Sequence, residues 1–204
     1  DSMVLENSVP PDFAPTLPQR EARQVLGLPP DRFLFGMAGA LRASRGIASV
    51  IEGARHFLLR QEKAVLVLAG PRDAGFRIPP DVSGQAYDLG QLPPDRVPIF
   101  FRSLDLGLIT NQPGEFGSHC YPQKYREMLA CGLPVAASKA GVFDNGSRAA
   151  RDAAFVFHPD QPDDLASHLD AAYENRASLA PPNVHLDRWS DQASKLESFI
   201  KGLC

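Results

Sequence analysis

Two stretches, Phe33-Leu-Phe-Gly-Met-Ala38 and Ala64-Val-Leu-Val-Leu-Ala69, are apolar without interruption, and that continuity constrains the fold more than any other feature of the chain. A strand with one wet face alternates apolar and polar side chains. A strand that is apolar at every position has both faces covered, the condition met in parallel sheets flanked by helices. Between the two stretches Ile47, Val50, Ile51, Ala54, Phe57 and Leu58 recur at steps of three and four, the spacing of a helix with one buried face. Strand, helix and strand in that order make a right-handed crossover unit.

The alternation continues along the chain. Weaker strand signals at 86–89 precede a short helix at 97–102 and a strand at 106–110; a helix opened by Pro122 and stopped at Gly132 leads to a strand at 134–137. A short polar helix at 147–151, a strand at 154–157 and a helix at 162–173 follow. Asp160, Asp163 and Asp164 crowd the start of that last helix, where the helix dipole favours negative charge. The expected fold is α/β: a doubly wound, mainly parallel sheet with helices on both faces, in one domain over residues 1–204. Near the end, Leu186, Trp189, Ala193, Leu196, Ile200 and Leu203 form a narrow helical stripe. It is expected to pack on its own domain, with docking on a second domain as the alternative.

Composition narrows the function. The 204 residues are 44% hydrophobic and 22% charged, an ordinary globular balance, and the formal charge of -3 gives no electrostatic case for nucleic acid or an anionic membrane as partner. An anionic ligand must therefore meet a local cluster of cations. No apolar run approaches the roughly 20 residues of a transmembrane span, and no secretory leader pattern opens the chain. Three scattered cysteines, Cys120, Cys131 and Cys204, form no CxxC pair, which argues against a disulfide framework or a zinc site and favours the cytosol. Cys131 reads as a small core residue at a helix end, and Cys120 as the candidate reactive thiol. His56, His158, His168 and His185 show no partner pattern and read as structural or surface residues. HExxH, Asp-x-Asp and GxSxG motifs are absent from the sequence, so no metal or other cofactor is expected and any chemistry rests on positioning and charge.

In a doubly wound sheet, ligands sit beyond the carboxyl ends of the strands, which directs attention to two loops. The first, Gly39-Ala-Leu-Arg-Ala-Ser-Arg-Gly46, brings Arg42 and Arg45 into a strand-to-helix turn, with Gly39 and Gly46 placed to let backbone amides approach a ligand. It is neither a Walker loop nor a GxGxxG fingerprint, which counts against ATP hydrolysis and NAD binding. The second, residues 111–121, carries Glu115, Gly117, Ser118 and His119 just ahead of Tyr121-Pro-Gln-Lys-Tyr-Arg-Glu-Met-Leu-Ala-Cys-Gly-Leu-Pro-Val135. There Lys124 and Glu127 fall on one face of a helix near its start, where a cation can hold a phosphate and an acceptor a sugar hydroxyl. The plainer alternatives are a basic surface turn, a solvated histidine and a surface Lys/Glu pair.

Taken in order, these segments resemble the C-terminal domain of group-1, family-4-like glycosyltransferases of the GT-B fold. Glu127-Met-Leu-Ala-Cys-Gly-Leu-Pro-Val135 carries the resemblance most distinctly. It is supported by Asn7-Ser-Val-Pro10 in the opening segment, by the loop from Gly39 to Gly46, by Leu68-Ala-Gly70, by Leu104-Asp105 and by Phe157-His-Pro-Asp-Gln-Pro-Asp-Asp-Leu-Ala166. The resemblance implies a Rossmann-like half of a two-domain enzyme that binds a nucleotide diphosphate sugar and lacks, in this chain, the N-terminal acceptor domain. It places Glu127 on the ribose, Arg45 and Lys124 on the diphosphate, with Arg42 as a shifted substitute for a basic residue the family has at Ala40. Transfer with retention and without a metal is implied, in the cytosol, with peripheral membrane association through the acceptor or the absent domain left open. Three positions depart from the family pattern: Ala40, His119 in place of a carboxylate, and Asn145 in place of a glutamate, with Gly141 keeping one glycine of that loop. The alternatives are a scaffold module of the same fold that has lost donor chemistry, and a nucleotide-sugar epimerase.

Overall fold

The computed structural model of the chain describes residues 2–3, 5, 7–13, 17–114, 117, 122–144, 146–183 and 186–202. Six strands, β1 (Phe33–Ala38), β2 (Ala64–Ala69), β3 (Ala86–Asp88), β4 (Leu106–Ile109), β5 (Val135–Ser138) and β6 (Phe155–Phe157), form one sheet in the order β3-β2-β1-β4-β5-β6. Every adjacent pair is parallel. This is the doubly wound order, and the expected fold class holds.

Two cores explain why β1 and β2 are apolar throughout. Phe33, Phe35 and Met37, with Leu66 and Leu68, pack under α2 (Ile47–Leu58) and α6 (Pro162–Glu174), the helix that follows the short α5 (Arg148–Asp152) in the chain. Leu34, Ala38, Val65, Val67 and Ala69 face the other way, toward α3 (Val97–Ser103) and α4 (Gln123–Ala130). All residues of both strands are buried. Alternate side chains serve opposite cores, so no position is left for a polar group.

One helix, α1 (Gln19–Val25), has no counterpart among the expected elements, and the reason is a buried charge. Arg23 is 4% exposed. Its Nη2 meets Asp105 Oδ2 at 2.7 Å, its Nε donates to the Ser103 carbonyl at 2.8 Å, and its Nη1 donates to the carbonyls of Pro30 and Arg32. Asp105 also accepts from the Leu34 amide at 2.7 Å and from Gln19 Nε2 at 3.1 Å. A helix whose inward face carries an arginine gives no apolar period to read. What docks α1 is a charge pair at the amino end of β4.

Behind the sheet, α4 lies close. A Cβ on Gly107 of β4 would stand 2.7 Å from Met128 Sδ and 2.9 Å from Leu133 Cδ2, so the absent side chain sets how near the helix approaches. Cys131 ends this helix as a buried residue, as expected. Burial pushes its thiol up to about 12, with the nearby Glu127 carboxylate adding to the effect, which leaves it inert as a nucleophile.

One expectation is corrected. Of the expected stripe, Leu186 packs against the core, but its described residues on the last helix, α7 (Trp189–Gly202), turn outward: Trp189 is 52% exposed, Leu196 40% and Ile200 52%. The face turned inward carries Gln192, which is buried and donates to Asp187 Oδ2 at 2.9 Å. Of the histidines, His56, His158 and His168 are structural or surface residues as expected, each paired with a carboxylate. His56 sits between Glu52 Oε1 at 3.0 Å and Asp163 Oδ1 at 2.8 Å, tying α2 to α6, and His158 Nδ1 lies 3.0 Å from Asp164 Oδ2. Burial raises the Asp164 carboxyl, but hydrogen bonds from the His158 amide and ring, with the charge of His168, bring it below its ordinary value. Among the described residues no helix is long and apolar enough to cross a membrane.

Candidate functional site

The strand order reverses direction between β1 and β4, and a crevice opens there at the carboxyl ends of the strands. It has a volume of about 210 Å³ and is walled by Met37 to Ala40 across the end of β1, Leu108 to Asn111 across the end of β4, and Arg45, Pro122 and Lys124. A larger space of about 370 Å³ lies on the far side of the β1–α2 turn, against Leu41, Ile47, Ile51 and Phe76. The smaller crevice is the stronger candidate, because it gathers Arg45 and Lys124 at the switch point, whereas the larger one offers Arg77 together with Asp73 away from it.

Each side of the crevice is placed by local structure. After β1 the chain turns at Gly39, whose φ of 140° is a conformation side chains rarely adopt, and a Cβ there would meet nothing within 4 Å. The amide of Gly39 is already bonded to the Ala69 carbonyl at 2.9 Å, so this glycine supplies a backbone shape and clearance, and its amide is engaged. Gly46, with φ of 78°, caps the 3-10 turn Ala43–Arg45, and its amide donates to the Ala43 carbonyl at 2.9 Å. A Cβ on Gly46 would sit 3.1 Å from Gln112 Cγ and 3.2 Å from Thr110 Oγ1. The turn is therefore pressed against the end of β4.

Arg45 is half-buried on the crevice wall. Its carbonyl accepts from Thr110 Oγ1 at 2.8 Å and its Nη1 stands 3.4 Å from Asn111 Oδ1. Across the crevice Pro122 leads into α4, and Lys124 in the first turn reaches Glu127 Oε2 at 2.7 Å. The Glu127 side chain is 9% exposed and that of Lys124 40%, so the carboxylate is largely desolvated while the ammonium remains accessible. Among the described residues, Arg45 and Lys124 thus bring two cations to the crevice wall, with the Glu127 carboxylate beside Lys124, groups suited to a polyanion with a hydroxyl-bearing neighbour.

Of the residues singled out in the sequence, Gly39, Arg45 and Lys124 line the crevice, and Glu127 joins them through Lys124. Arg42 does not: it is exposed and its Nε lies 3.9 Å from Asp73 Oδ1, on the side of the turn facing away. Gly117 is buried against its own loop, where a Cβ would stand 1.8 Å from the Gln112 carbonyl oxygen, so its role there is close packing of the loop. Gly141 begins a 3-10 turn after β5 with φ of 57°. Glu115, Ser118 and His119 lie outside the described residues, as do Cys120, Tyr121, Asn145, His185, Leu203 and Cys204. Thr110, Asn111 and Ser138 were not singled out, because a hydroxyl or amide at a strand end carries no periodic signal. Among the described residues no group of three or more His, Cys, Asp or Glu is gathered as for a metal.

Of the curated proteins, D-inositol 3-phosphate glycosyltransferase from Acidothermus cellulolyticus is 28% identical over 134 residues, which is 59% of this chain and 29% of that protein. The chain thus spans less than a third of that relative's length. Among solved structures, sucrose-phosphate synthase from Thermosynechococcus elongatus superposes with a TM-score of 0.72 at 17% identity, over 96% of this chain and 51% of the other. Anabaena HepE in complex with UDP gives a TM-score of 0.63 at 20% identity, over 84% of this chain and 45% of the other, and the same protein with UDP-glucose also matches. At these identities the structures bear on the fold. The family is settled by sequence: residues 18–195 match the family of glycosyl transferases group 1, and the chain belongs to it.

Proposed function

We propose that the chain is the donor-binding half of a glycosyltransferase that uses a nucleotide diphosphate sugar and retains anomeric configuration. The observation that carries the reading is the crevice at the β1/β4 switch point, in which Arg45 and Lys124 face one space with Glu127 paired to Lys124. In this reading Arg45 and Lys124 hold the diphosphate and Glu127 accepts from the ribose hydroxyls. As the bond between the anomeric carbon and the phosphate oxygen breaks, charge grows on the leaving diphosphate, and cations already fixed around it lower the barrier without a resident metal. Lys124 changes partner on binding, giving up part of its contact with Glu127 to a phosphate oxygen. Arg42, turned to Asp73, is left out of this set. Support for the donor class comes from HepE, a protein of similar fold described with UDP and with UDP-glucose.

The reading also holds that this chain lacks the acceptor side of the active site. Two facts support it: the chain matches 51% of sucrose-phosphate synthase and 45% of HepE, and the apolar stripe of α7 lies uncovered, as it would where a second domain belongs. A cytosolic setting is part of the same proposal. The test is thermal unfolding of the chain with UDP, GDP and ADP in turn. One of the three is expected to raise the melting temperature in a concentration-dependent way, as any ligand that binds only the folded state must. No shift with all three would favour a scaffold that kept the fold and lost the donor.

A further inference from the structure

Arg45 is held at both ends by two consecutive residues, and that arrangement suggests more than a phosphate contact. Thr110 Oγ1 donates to the Arg45 carbonyl at 2.8 Å, and the next residue, Asn111, offers Oδ1 to the guanidinium at 3.4 Å. Asn111 is itself immobilised. It is 5% exposed, and Ser138 Oγ at the end of β5 accepts from its amide at 2.8 Å and donates to its carbonyl at 2.8 Å. One buried hydroxyl thus continues the β4–β5 seam past the last rung of the ladder and fixes the backbone from which the Asn111 side chain starts.

We infer that Asn111 is a positioning residue for Arg45, and that the affinity of the cleft for a pyrophosphate depends on it; the inference rests on the donor-cleft reading above. An arginine that must meet a phosphate loses rotamer freedom, and a neighbour that holds it near the bound orientation beforehand removes part of that cost. A carboxamide suits the task. Its oxygen takes one of the five guanidinium N–H donors without cancelling the charge, whereas a carboxylate in the same place would neutralise it. The length of the contact, at the outer limit for a hydrogen bond, fits a guide that lets the guanidinium swing onto a ligand.

The test is a double-mutant cycle on this chain: the parent, Asn111→Ala, Arg45→Ala and the double variant, each titrated calorimetrically with UDP and with inorganic pyrophosphate and each melted to check folding. Asn111→Ala leaves both backbone bonds to Ser138 in place. It is expected to weaken either probe about three- to tenfold when Arg45 is present, and to have no effect once Arg45 is alanine. Asn111→Asp is expected to weaken binding further while leaving the melting temperature unchanged or raised, a split that a merely structural role would not produce. Should Asn111→Ala fail to fold, Asn111→Asp and Asn111→Ser carry the same cycle. Equal losses in both Arg45 backgrounds, or unchanged affinity in Asn111→Ala and Asn111→Asp, overturn the inference while leaving the donor cleft standing. A silent Arg45→Ala in a parent that binds also overturns it. A parent that binds neither probe removes the donor reading and this inference with it.

Discussion

Asp105→Ala is expected to lower the unfolding free energy by about 3–5 kcal/mol, the range found when one partner of a buried ion pair is removed. The loss arises on three sides. Arg23, with a side chain 5% exposed, keeps its carbonyl partners but loses its counter-charge; the Leu34 amide loses its acceptor, and Gln19 loses one of its two. For a chain of this size that corresponds to a fall in melting temperature of roughly 10 °C. The contrast is Lys201→Ala, which removes an ion pair whose side chains are 74% and 66% exposed and is expected to be nearly silent. Denaturant titration of the two variants checks both statements. If Asp105→Ala melts like the parent, α1 is not anchored by charge at the foot of β4.

The second large effect concerns binding. Arg45→Ala and Lys124→Ala are each expected to weaken a nucleoside diphosphate by about 1–3 kcal/mol, the worth of a charge-assisted hydrogen bond, or about five- to 150-fold in Kd. Arg45→Lys is expected to recover only part of the loss, since an ammonium keeps the charge without the planar fork. Lys124→Ala leaves the largely buried Glu127 carboxylate without its 2.7 Å partner, so its affinity must be measured at a temperature where the variant remains folded. Titration calorimetry on the three variants decides the matter, and unchanged affinity for both alanine variants would remove both residues from the site.

Much of the frame was legible in the sequence because the physics that builds it is local or periodic. The unbroken apolar runs of β1 and β2 announce strands covered on both sides, and Pro122 with Gly132 brackets α4 by helix-end chemistry. The rule that ligands gather at carboxyl ends of parallel strands then led to the loops that wall the crevice. Other features were hidden for reasons equally physical. Buried Arg23 interrupts the apolar period of α1, and its partner Asp105 lies far along the chain. The stripe on α7 was read at the right period, yet periodicity states only that a face is apolar and not what covers it. Thr110, Asn111 and Ser138 come together only because β4 pairs with β5, and no spacing in the sequence encodes that meeting. Gly39 and Gly46 were read as letting backbone amides approach a ligand; their own amides are engaged within the protein, and what they contribute is the left-handed backbone of the turn.

The central claim is that a pyrophosphate sits between the β1 turn and the first turn of α4. A crystal structure of the chain with UDP bound tests it most directly. The account places the two phosphates within hydrogen-bonding distance of Arg45 and Lys124, with Glu127 facing the ribose. A nucleotide lodged elsewhere, for example in the apolar space beside Phe76 with Arg45 and Lys124 still turned to their present partners, would contradict it.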